Sequence, residues 1–157
     1  MCGGVIFQQT HGTIYSPRWP GPYQHNLTCD WTVHVPRKLM DSRDQLHMTL
    51  RFPHFDMEPD RDLLSIHSLD SILAPSPETY AVYHGGELPP SKLKISLSDV
   101  RSIIIHFESD HTIKHFGFTL VFSSEYAAAA VAVAAVFAAA AAAAFLLFLL
   151  LILLLLF

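Results

Sequence analysis

Cys2-Gly3-Gly4-Val5-Ile6-Phe7, then Gly12-Thr13-Ile14-Tyr15-Ser16-Pro17-Arg18-Trp19-Pro20, then Tyr23, Asn26-Leu27-Thr28-Cys29 and Trp31: this opening stretch decides how the rest of the chain is read. Two short apolar runs, at 5–7 and 31–35, flank a segment crowded with proline and glycine. That segment cannot be helical, because each proline removes a backbone donor and restricts the residue before it. The chain has two cysteines, Cys2 and Cys29, and they stand at the two ends of the stretch. A bridge between them would tie the chain start to a later strand and stabilise by about 3–4 kcal/mol in the loop-entropy picture. It would also require an oxidising compartment. No charged n-region and apolar h-region precede Cys2. Either the true N-terminus lies upstream or the cysteines stay reduced; the first is the expectation.

Working outward, short alternating segments follow one another. Trp31, Val33 and Val35 alternate with polar neighbours, the period of a half-buried strand. Leu46, Met48, Leu50 and Phe52 do the same, and Pro53 is expected to end that run. Leu64 and Ile66 mark a strand, residues 80–83 another, and Leu93, Ile95 and Leu97 a third. Residues 103–107 form the most apolar and β-branched run, which predicts a central strand. Phe118, Leu120 and Phe122 close the series. Turn residues separate the segments and no helix-period segment intervenes, so the pattern predicts an all-β, two-sheet antiparallel sandwich.

The same residues carry a family resemblance. Gly-x-Ile-x-Ser-Pro-x-Trp-Pro, a tyrosine soon after, and Asn-x-x-Cys-x-Trp resemble the opening of a CUB domain. The pattern continues as Leu50-Arg51-Phe52-x-x-Phe55-Asp56-Met57-Glu58, Asp62-x-Leu64-x-Ile66, Phe107-x-Ser109-Asp110 and Gly117-Phe118, in the family's order over residues 2–122. The resemblance implies an extracellular sandwich of jelly-roll-like topology used for binding, with Cys2 and Cys29 matching the family's first disulfide. It also implies a calcium site. Glu58, Asp62 and Asp110 match the calcium-binding carboxylates, and Tyr23 matches a tyrosine that supports them, with Ser109 and nearby carbonyls completing the shell. The partner implied is an extracellular protein, engaged by a lysine side chain reaching those carboxylates. Calcium is a hard cation that takes six to eight oxygen ligands, which loop-borne acids supply. Taken alone, each of these acids reads as an ordinary solvated loop residue. Two departures stand out. The positions of the family's second bridge fall near Pro59 and at His84, neither of them cysteine, and the 58–62 loop is short.

Composition excludes other classes. Acidic residues outnumber Lys and Arg by 14 to 10, and the net charge is −4. The basic residues form no stripe, so nucleic acid is not a partner. Ten histidines are spread along the chain. His34, His47 and His67 sit at polar phases of strands and read as surface residues, while His111 and His115 fall in a loop. No His-Glu-x-x-His signature supports zinc. The milder reading is that histidines charge between about pH 5 and 7 and weaken binding after endocytosis. No Gly-x-Ser-x-Gly elbow is present, so the chain is not expected to be an enzyme.

Asn26-Leu27-Thr28 contains the sole asparagine and is an N-glycosylation sequon on a turn. Residues 123–126 read as a short linker to 127–157, an alanine- and leucine-rich tract with no polar side chain. Such a run is the signature of a membrane-spanning helix. A low-complexity tract from a faulty reading frame and a lipid-anchor signal are the alternatives; the alanine-rich spacer argues against the second. The expectation is a non-enzymatic recognition module on the extracellular face of the plasma membrane, or secreted if the tail is removed. The rival is a fragment of a larger CUB-containing protein, such as a secreted protease or its regulator.

Overall fold

The computed structural model describes residues 2–34, 46–69, 77–97, 100 and 102–126. These form nine strands: β1 (Gly4–Ile6), β2 (His11–Tyr15), β3 (Thr28–His34), β4 (Leu46–Asp56), β5 (Leu63–Ser68), β6 (Thr79–His84), β7 (Leu93–Ser96), β8 (Ser102–Glu108) and β9 (Gly117–Tyr126). They build a five-stranded sheet in the order β1-β3-β8-β5-β6 and a four-stranded sheet in the order β2-β9-β4-β7. The strand period sends alternate residues to one face. Val33, Ile105 and Ile66 from one sheet and Leu50, Leu120 and Phe122 from the other are fully buried, and the core lies between the layers. The 103–107 run is the middle strand of the larger sheet, as its composition predicts.

Four details differ from the pattern reading. First, the sandwich is not wholly antiparallel. β1 pairs parallel to β3, with Gly4 opposite Trp31 and Ile6 opposite Val33. Between them the chain crosses to the other sheet to form β2, and such a crossover permits a parallel return. The Cys2–Cys29 disulfide, Cα–Cα 5.2 Å, lies beside this pair. Gly3 has φ +92°, and a Cβ there would fall 2.4 Å from the Asp30 carbonyl oxygen, so glycine allows the close entry.

Second, Pro53 does not end its strand. β4 runs on to Asp56, and its pairing with β9 shifts register between Arg51 and His54. A bulge leaves a residue outside the ladder, where a missing N–H costs nothing. Third, β2 escapes the alternation rule because Ile14 is its sole buried apolar residue. Fourth, residues 123–126 are not a linker. They continue β9, with Tyr126 opposite Leu46 and Ser123 opposite both His11 and Thr49. The expected helix and membrane span at 127–157 lies outside the described residues, among which no helix is long and apolar enough to cross a membrane.

Candidate metal centre

At one loop edge of the sandwich, three carboxylates meet. Glu58 follows β4, Asp62 precedes β5 and Asp110 follows β8. One oxygen from each lies within 4.8 Å of the others, the one such acid, histidine or cysteine group among the described residues. Asp62 is fully buried and Glu58 nearly so, at 0% and 6% exposure. The short 58–62 loop does not misplace Glu58. It turns tightly through Asp60, at φ +58°, and the Asp62 N–H donates to the Glu58 carbonyl at 3.3 Å.

Tyr23 sits beneath the group. Its ring packs edge-on to Phe107, centroids 5.2 Å apart, and its hydroxyl donates to an Asp62 oxygen. The same hydroxyl accepts from the Glu58 N–H at 3.1 Å. Burial first, and the bond to Asp62 second, push the phenol far above its ordinary pKa, so it stays a donor. The other Asp62 oxygen accepts from the Asp110 N–H at 3.0 Å. The Asp110 carbonyl in turn accepts from the N–H of Asn26 at 2.8 Å. Three loops are thus stitched together by the very acids that line the site.

Thr112 completes the arrangement, a residue that sequence reasoning does not single out. Its hydroxyl lies 2.7 Å from both Glu58 carboxylate oxygens and 2.7 Å from Asp110 Oδ1. Its N–H also donates to Asp110 Oδ1 at 2.7 Å, and the Ile113 N–H donates to Glu58 Oε2 at 2.9 Å. The Thr112 hydroxyl and then its amide hold the Asp110 carboxyl below the usual range. The local signal is Asp-x-Thr, the spacing at which an acidic side chain caps its own turn. Ser109, by contrast, does not join the shell. Its hydroxyl donates to the Gln24 carbonyl at 2.9 Å and accepts from the Leu27 N–H at 3.1 Å, so it anchors the neighbouring loop.

The donor set fits a hard divalent cation. A hydroxyl has one proton, yet three carboxylate oxygens crowd the Thr112 Oγ1. Three acids this close repel one another, and a bound cation removes that cost. Oxygen-only donors on loops suit calcium. Glu58, Asp62 and Asp110 each offer one carboxylate oxygen to such an ion.

The histidines do not enter this group. His111 is exposed, while His115 Nδ1 lies 2.9 Å from Asp56 Oδ1. His34, His47 and His67 are half-buried rather than at the surface. His34 stacks on Phe7 with centroids 4.5 Å apart, and His67 sits between the hydroxyls of Ser65 and Thr79 at 2.7 and 3.0 Å. Neighbouring side chains on the same sheet face supply the cover that alternation alone does not reveal.

Fold and site together define a disulfide-bridged β-sandwich with a group of three converging carboxylates on its loop edge. The chain belongs to the CUB domain family, whose sequence profile matches residues 2–122. Seizure protein 6 of Mus musculus is 34% identical over 109 residues, covering 69% of this chain and 10% of that protein. The dorsal-ventral patterning protein tolloid of Drosophila melanogaster is 31% identical over 132 residues, covering 77% of this chain and 11% of that protein. Among solved structures, the MASP-1 CUB2 domain bound to Ca2+ is 27% identical, with a TM-score of 0.55 over 78% of this chain and 99% of that one. The CUB1-EGF-CUB2 domains of rat MASP-1 share the fold at 19% identity, with a TM-score of 0.57 over 78% of this chain and 42% of that one. This chain spans about a tenth of the length of the curated relatives it matches.

Proposed function

We propose that this domain is a non-enzymatic, extracellular protein-recognition module whose binding edge is organised by calcium at Glu58, Asp62 and Asp110. The observation that carries this reading is the convergence of three carboxylates within 4.8 Å, beneath which Tyr23 is locked as a donor. The calcium-bound state of the MASP-1 CUB2 domain supports it. The cation neutralises the acids and fixes the 58–62 and 110–113 loops; the remaining carboxylate charge then receives a lysine side chain from a partner protein. Ile113 and Phe116, 59% and 53% exposed beside the group, offer that partner an apolar rim. Asn26, exposed on the same edge, carries an N-glycan, and residues 127–157 hold the protein in a membrane.

The test is retention of the purified protein on a poly-lysine surface. Calcium-dependent retention that chelator releases is the expected result; equal retention in calcium and chelator contradicts the reading. Glycosidase treatment should speed the gel migration of mammalian-expressed protein, and alkaline extraction should leave the chain in the membrane pellet. A second reading, a module within a larger CUB-containing protein such as a protease or its regulator, draws on the small fraction of each relative that this chain spans. A full-length transcript encoding an adjoining catalytic domain would establish it.

A further inference from the structure

The family's second bridge would fall near Pro59 and at His84, and neither is cysteine. The structure nevertheless brings those two places into close contact. Immediately after His84, which ends β6, Gly85 and Gly86 lie on the backbone of residues 57–59. A Cβ on Gly85 would fall 2.1 Å from the Glu58 carbonyl oxygen, 2.4 Å from its carbonyl carbon and 2.5 Å from the Met57 carbonyl carbon. A Cβ on Gly86 would be 3.3 Å from that of Pro59. The contact at Gly85 is backbone against backbone, with no flexible side chain to give way. Gly85 lacks a positive φ, so the close approach and not its conformation is what calls for glycine.

The consequence reaches the metal centre. The Glu58 carbonyl is met by both the Asp62 N–H and Gly85, and the Glu58 N–H is held by Tyr23. The turn itself is closed by the Glu87 N–H on the His84 carbonyl at 2.9 Å. We infer that the Gly85-Gly86 turn takes the part of a second covalent bridge: Gly85 is a positioning residue that seats the Glu58 backbone so that its carboxylate meets those of Asp62 and Asp110. The inference rests on the calcium reading above. It couples the β6–β7 turn to cation binding, and such coupling is reciprocal.

Hydrogen exchange on the unmodified protein, with calcium and with chelator, is the first arm of the test. Calcium should slow the Glu87 amide in the turn together with the Asp62, Asp110 and Ile113 amides at the site. The second arm is calcium titration of Gly85→Ala, where affinity should fall by about tenfold or more, within the usual range of coupling between sites. Gly12→Ala serves for comparison, because its added carbon would meet the Phe122 ring at 2.6 Å, in the other sheet. That variant should lose stability yet keep its calcium affinity within about twofold, as distant sites do. A turn amide that calcium leaves unchanged while the site amides slow overturns the inference and spares the cation site. Wild-type affinity in Gly85→Ala overturns it equally, and if that variant does not fold, the exchange arm decides alone. Slowing at no amide at all overturns the cation reading, and this inference with it.

Discussion

β8 carries two very different neighbourhoods on its opposite faces. Phe107 points inward, fully buried, and touches Tyr23 and Phe118 with centroids 5.2 and 5.5 Å away. His106, one residue earlier, points outward, with Nδ1 2.8 Å from Asp30 and Nε2 3.8 Å from Glu108. His67 and His34 share that outer sheet face, each against a hydroxyl: Ser65 for His67, Ser102 for His34. The sheet face is as rich in titratable groups as the carboxylate edge, yet among the described residues it gathers no metal-ligand group. Strands about 4.8 Å apart hold side chains in parallel rows, so polar groups meet in pairs along a row or across to the next. Loops have no such spacing. Three of them fold inward beyond the strand ends, and their acids end up facing one another. A metal centre depends on convergence, not on the number of candidate ligands.

Breaking the support under the converging side gives the largest effect. Phe107→Ala removes the ring beneath Tyr23 and should cost about 3–5 kcal/mol in urea unfolding. It should also weaken the calcium response, because the tyrosine loses its seat. Thr112→Val is the finer probe of the same side. It keeps the shape and deletes the one proton that serves two carboxylates, so in chelator it should cost about 1–2 kcal/mol. In saturating calcium the loss should shrink, since the cation takes over the neutralisation. A loss equal in both conditions would separate Thr112 from the cation site.

The smallest effect belongs to the sheet face. Burial first, and the charge of His106 second, hold the His67 pKa below its ordinary value of 6.5. The unfolded chain therefore takes up this proton at higher pH than the folded one. The stability tied to neutral His67 is complete above 6.5 and falls as pH drops through the lowered folded value. Melting temperature should decline between about pH 7 and pH 5, the range in which histidines charge. His67→Gln should flatten that decline and leave the calcium response intact.

The difference between the two faces also sets what the sequence alone could tell. The strand of Leu46, Met48 and Leu50 announces itself by period, and that of Ile103, Ile105 and Phe107 by its apolar, β-branched composition. β2, with Ile14 as its sole buried apolar residue, does not, and Pro53 is misleading because a bulge hides its missing donor. The direction of β1 depends on a crossover that periodicity does not record. The acids of the site came from the family resemblance; the spacing among 58, 62 and 110 carries no geometric instruction of its own. Thr112 was invisible because its role exists only after the 110–113 turn meets Glu58. Gly85 was hidden for the same reason, its reason for being glycine lying 27 residues away, at Glu58.

Thermal unfolding of the protein in calcium and in chelator, alongside Asp110→Ala, tests the central claim most directly. Calcium at about a hundred times its dissociation constant should add about 2.7 kcal/mol to the folded state, seen as a rise of several degrees in Tm. Asp110→Ala should abolish that rise and weaken partner capture together. No rise in the unmodified protein at millimolar calcium would contradict the account, and Glu58, Asp62 and Asp110 would then be a cluster that Thr112 and Tyr23 hold together without any cation.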